Sequence, residues 1–221
     1  MINAGSLFAV AKEAYARATA TAADSRSHVS HDPLVAIVFA AAAGEAFVNE
    51  IVDLAAAQTA IDSELDPEPQ EVRDLVALLS EVEGSRATTG LKFRVGKLAL
   101  VGKTYDKGGN PYQDFAILME LRNSLVHLKS ERLDQDHGSN PGVKHPRVIE
   151  RLRATNVLVQ LEGEDAHASW IYLISTPAAA KWACNATANI VTDLLGSIPV
   201  SQLRSKVDFF YCRYKAFAPI E

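Results

Sequence analysis

Asp32-Pro33 opens a stretch running to about Gln58 in which alanine and larger apolar residues occupy nearly every side of a helix. Aspartate ahead of a first-turn proline is a helix-start signature, because proline gives up an amide that has no partner there anyway. A helix of this composition has no broad polar face to leave in water, so it must pack against several neighbours at once. The chain is therefore expected to build a helical body around this segment. Its polar interruptions, Glu45, Asn49 and Asp53, recur every four residues and form a single stripe. That stripe either faces water or holds something in place. Leu34 to Ala43 is apolar, but Gly44-Glu45 ends the run before it reaches the length of a bilayer span. No secretory signal is read at Met1-Ile2-Asn3-Ala4-Gly5, which lacks a basic start, so the expected setting is cytoplasmic.

The flanking segments repeat the helical period. Ser6 to Asp24 carries Leu7, Val10, Ala11, Ala14 and Ala18 on one face. Asp62 to Glu83 is acidic and broken early by Pro67 and Pro69, after which Val72, Leu75, Val76 and Leu79 mark a short amphipathic helix. Leu91 to Val101 reads as a helix following a loop over Gly84 to Gly90, with Lys92, Arg94 and Lys97 on it and Lys103 and Lys107 beyond. Val148, Ile149 and Leu152 make a short helix inside the most basic part of the chain, which holds Lys144, His145, Arg147, Arg151 and Arg153. Val157 to Leu161 and Trp170 to Ile174 are rich in β-branched and aromatic residues, and they predict a small hairpin spanning 156–174. Ser175-Thr176-Pro177 opens a helix closed by Gly196, and Ser201 caps a last helix running into Phe209, Phe210 and Tyr214.

The chemistry-bearing stretch is Leu121-Arg122-Asn123-Ser124-Leu125-Val126-His127. Asn110 reads as a cap, Pro111 as the first helical position and Gln113 as a capping-box partner, while Leu118, Leu121, Leu125 and Leu128 set the core face. Asn123 and His127 share a face. Arg122 and His127 are separated by about 140° and roughly 7.5 Å of rise on an ideal helix. A long guanidinium arm can swing back across that angle, so a permanent cation and an imidazole can flank one phosphate. RNA cleavage without metal needs those two groups: a base that works near neutral pH and a fixed positive charge for the phosphorane.

Arg122-Asn123-Ser124-Leu125-Val126-His127 resembles the Arg-polar-x3-His motif of HEPN domains, an all-helical family that includes ribonucleases of toxin-antitoxin, abortive-infection and CRISPR systems. Ala41 to Glu50 is similar to the alanine-rich early helix of some HEPN branches, with Glu45 and Asn49 one turn apart. The resemblance implies one mainly α domain over 1–221, an up-and-down helical bundle with the hairpin as an insertion. It implies a homodimer in which Arg122 and His127 of both protomers converge in one cleft. His127 would then serve as general base or acid, Arg122 would hold the scissile phosphate, and Asn123 would orient one of them. Glu45 and Asn49 would support the pair. Lys97, Lys129, Arg132, Lys144 and Arg147 are the candidate RNA-binding residues. The expected activity is metal-independent endoribonuclease cleavage to a 2′,3′-cyclic phosphate, with an antitoxin or regulator as a further partner. The alternative is a non-catalytic HEPN-like interaction or RNA-binding module in which Arg122 pairs with an acid such as Glu45.

Composition narrows the other classes. A chain of 221 residues, 48% hydrophobic, supports one full core, and a formal charge of -5 excludes a uniformly basic surface for long nucleic acid. Cys184 and Cys212 have neither zinc spacing nor a disulfide framework, and Cys184 reads as a small core residue. Gly102-Lys103-Thr104 ends like a phosphate-binding loop, but Lys97 stands where that motif needs its first glycine. No cofactor and no metal site is expected.

Overall fold

The computed structural model describes residues 3–23, 30–61, 67–127, 145–158, 169–212 and 216–221. Its elements are α1 (Ala4–Ala23), α2 (Asp32–Ile61), α3 (Gln70–Gly84), α4 (Thr89–Val101), α5 (Tyr112–Val126), α6 (Arg147–Ala154), α7 (Trp170–Ile174), α8 (Pro177–Gly196) and α9 (Gln202–Val207), the last continuing into a π-helical turn over Asp208–Cys212. Among the described residues the protein is all-α.

The alanine-rich segment is the central helix. α2 packs along α1 and α8 and also meets α3, α4, α5 and α9. Ala36, Ala40, Ala41, Ala43 and Ala55 are all fully buried, as small residues must be where neighbours close in on several sides. By length and composition alone, Asp32–Ala60 would suffice to cross a bilayer, with a mean hydropathy of 1.7 over its most apolar window. Half of that window is buried inside the protein, which fits a core helix.

An aromatic chain ties the two ends of the sequence to the motif helix. Phe8 lies 4.9 Å from Phe217, Phe217 5.6 Å from Phe47, Phe47 6.1 Å from Phe93, and Phe93 4.9 Å from Phe115 on α5. These rings run through the middle of one continuous core, so the position of α5 is fixed from behind by packing.

Glu50 on α2 makes a second tie. Its carboxylate accepts from the backbone amides of Asn3 and Ala4, capping α1, and from the Tyr211 hydroxyl at 2.6 Å. Burial first, and then the bond and charge of Glu50, push the Tyr211 phenol well above its ordinary value. Tyr105 is raised in the same way, by burial and by its 2.7 Å bond to Asp193. Both phenols stay protonated in the folded chain at a pH where unfolded phenols ionise, at about 10. Folding then retains protons, and stability falls as pH rises above about 10. Urea midpoints measured at pH 8 and pH 11 are expected to drop for the wild type. The drop is expected to be shallower in a Tyr105→Phe/Tyr211→Phe double variant, and an equal drop in both would remove the phenols as the cause.

The structure corrects the hairpin. Trp170–Ile174 is a short helix with Trp170, Leu173 and Ile174 buried, and Val157 and Leu158 form no strand; 159–161 lie outside the described residues. α5 also starts later than expected. Pro111 takes the cap position without a side-chain bond, so neither Asn110 nor Gln113 caps the helix in the expected way. Gly102 closes α4 in the left-handed conformation at φ 73°, and Arg94 Nε donates to Thr104 Oγ1, so Gly102-Lys103-Thr104 is a helix stop. α8 follows its expected bounds, capped by Thr176 Oγ1 accepting from the Ala179 amide. Cys184 lies inside it fully buried, and burial pushes its thiol up to about 12.

Candidate functional site

Leu118 and Leu121 bury one face of α5 in the core and leave Arg122 and Asn123 on the other. Arg122 leans towards α2. Its Nη2 lies 3.3 Å from Glu45 Oε2 and its Nη1 donates to Asn123 Oδ1 at 3.0 Å, so Glu45 and Asn123 together fix the guanidinium plane. The Arg122 and Glu45 side chains are 29% and 42% exposed, an ion pair at a surface. In such a setting it contributes at most about 1 kcal/mol.

Arg122, Asn123 and Glu45 line an open cleft of about 460 Å³. It is also lined by Ala87 to Gly90, which lead into and open α4, and by Tyr112, Ala116 and Met119 of α5. Glu120 lines it as well and is paired with Arg151 of α6. Two carboxylates and one guanidinium therefore line the opening, and each acid is matched by a base: Glu45 by Arg122, and Glu120 by Arg151 from outside the lining.

His127 is not on the helix with its partners. It occupies the C-cap of α5 at φ -111° and ψ 50°, its amide still donating to the Asn123 carbonyl at 3.0 Å, and its ring is exposed. It does not line the cleft. One chain thus places Arg122 and Asn123 at the cleft and leaves His127 at the end of α5, outside its lining.

The supporting residues divide. Glu45 reaches Arg122 as expected, whereas Asn49, one turn further along α2, accepts from Lys92 Nζ at 2.8 Å. Lys92 is only 7% exposed and also pairs with Glu83, so it cannot serve as part of a basic rim. Lys97 is drawn away too, bonded to Asp193 and Ser197 at 2.7 Å each and lying 5.4 Å over the Tyr105 ring. Arg147 is exposed at the start of α6, while Lys129, Arg132 and Lys144 lie outside the described residues. Thr88, Thr89, Gly90, Tyr112 and Glu120 line the cleft without standing out in the sequence as functional residues. Thr88 did carry a signal: a threonine before the helix, whose Oγ1 accepts from the Leu91 amide, is an N-cap.

No protein-family model, curated protein or solved structure matches the chain.

Proposed function

We propose that the protein is a HEPN-like endoribonuclease that works without metal, as a homodimer with a composite active site. The observation that carries this reading is Arg122, braced by Asn123, at the mouth of an open cleft with an exposed imidazole, His127, one turn on. A second copy related by a two-fold axis at the ends of α5 would bring the partner's imidazole to the guanidinium, which within one chain is bonded to Glu45 and Asn123.

In the reaction His127 takes the proton of the ribose 2′-OH as the 2′-oxygen attacks phosphorus. The bond from phosphorus to the 5′-oxygen breaks, and a proton is delivered to that oxygen by an imidazole acting as acid. Arg122 meets the charge growing on the phosphoryl oxygens. The product is a 2′,3′-cyclic phosphate and a free 5′-hydroxyl. A cytoplasmic role in prokaryotic defence or in a toxin-antitoxin pair suits such an activity.

The pairing of Arg122 with Glu45 favours a second reading, a non-catalytic module whose arginine is structural. Cleavage of labelled single-stranded and structured RNA in EDTA decides between them. Cyclic-phosphate ends from the wild type that disappear in His127→Ala and Arg122→Ala support the nuclease. No cleavage by a dimeric, folded wild type supports the module, and metal-dependent cleavage indifferent to both changes overturns the mechanism.

A further inference from the structure

We infer that the cleft at the amino end of α4 is a phosphate-binding site with its own donors, distinct from the exposed imidazole. The first amides of a helix have no partner within it and carry the positive end of its dipole. In α4 the Leu91 and Lys92 amides fold back onto Thr88, while those of Thr89 and Gly90 have no hydrogen bond among the described residues. Both residues line the cleft.

The second observation is Thr89 itself. It is 8% exposed, it lines the cleft, and its hydroxyl has no hydrogen-bond partner among the described residues. The residue is buried but its hydroxyl still meets the solvent of the cleft, so it is free to turn to an acceptor that enters there. Tyr112 brings another hydroxyl to the same place: a side chain on Gly90 would meet its Oη at 3.0 Å. Arg122, which lines the same cleft, supplies the charge.

The donor set is directional. Two amides, two hydroxyls and a guanidinium all offer protons, which suits a group of several acceptor oxygens and a negative charge. The carboxylates do not reverse this. Glu120 is neutralised by Arg151, and Glu45 holds only one edge of Arg122 through a part-exposed contact that phosphate oxygens can replace. The volume of the cleft exceeds what one phosphate fills and leaves room for the sugar attached to it.

The test is an amide-resolved NMR titration of the full chain at low salt with inorganic phosphate, adenosine 3′-monophosphate and a fully 2′-O-methylated RNA pentamer. Inorganic phosphate is expected to move the Thr89 and Gly90 signals. Thr89→Val, which keeps the shape and removes the hydroxyl, is expected to weaken binding at least threefold, and Arg122→Gln at least tenfold. Glu45→Gln is expected to tighten it at least threefold, because a competitor for Arg122 is removed. A pentamer that binds at least tenfold more tightly than the mononucleotide supports the site and assigns the phosphate to an RNA strand; equal affinities support it and assign a free nucleotide. Unmoved amides at saturating phosphate, an unchanged affinity in Thr89→Val, or weaker binding in Glu45→Gln would each overturn the site. The cleavage reading is separable from this result. RNA cut by a wild type whose Thr89 and Gly90 amides ignore phosphate sinks the site and leaves the nuclease, while phosphate binding without cleavage does the reverse.

Discussion

Replacing His127 with alanine is expected to lower RNA cleavage by about 10²- to 10⁴-fold, the usual contribution of a positioned acid or base. Arg122→Ala is expected to cost about 10²- to 10³-fold, as when one charge-stabilising donor is removed. Neither change should unfold the protein. His127 is exposed and the Arg122 pair sits at the surface, so stability should hold to within about 1 kcal/mol. The proposed composite site makes a sharper prediction. A dimer of one His127→Ala chain and one Arg122→Ala chain still owns one arginine and one imidazole. Mixing the two inactive variants under conditions of subunit exchange should therefore restore part of the cleavage. Each alone would remain at its low level. Absence of any recovery, with exchange demonstrated by mass, would mean that each chain cuts alone or that neither residue acts on the phosphate.

Helical period was legible in this sequence because it depends on spacing alone. Leu118 and Leu121 point inward on α5, and Ala180, Ala183, Thr187, Ile190, Val191 and Leu194 do so on α8, as their repeat demands. Trp170-Ile171-Tyr172-Leu173-Ile174 misled because five apolar residues suit a strand by type, while its buried members stand at i, i+3 and i+4. A run that short has no period of its own, and its packing decides. Lys92 and Lys97 misled for a different reason. Charge shows in the sequence, but the partners that draw these ammonium groups inward, Asn49 and Glu83 for one and Asp193 and Ser197 for the other, come from other elements of the fold. Glu45 and Asn49 share a face of α2, yet α5 meets the first and α4 the second. Which neighbour lies where is set by tertiary packing, and one sequence does not contain it.

Gly44→Ala is expected to destabilise the protein, against the usual gain of about 1 kcal/mol for alanine over glycine inside a helix. A Cβ built at Gly44 falls 2.6 and 2.9 Å from two ring carbons of Phe115 and 3.6 Å from Thr187 Cγ2, so α2, α5 and α8 converge on this one residue. The ring cannot easily retreat. Phe115 is fully buried and packs edge-on to Phe93 at 4.9 Å, while Thr187 is bonded to the Ala40 carbonyl at 2.9 Å. Overpacking of this kind costs about 1 to 3 kcal/mol, readable as a lower urea midpoint. Function should suffer beyond stability, because Glu45 follows Gly44 and reaches Arg122 across the same helix pair. Pushing α5 outward would shift Arg122 and open the α4 cleft. Shortening the opposing ring tests the cause: Phe115→Leu alone leaves a cavity and destabilises, but in the Gly44→Ala background it makes room for the new methyl. The double variant should be more stable than the sum of the two losses predicts, with a coupling of about 0.5 kcal/mol or more. A neutral or stabilising Gly44→Ala, or strict additivity, would mean that the helix carrying Glu45 and the helix carrying Arg122 are not held together at this point, and the geometry of the cleft would need another origin.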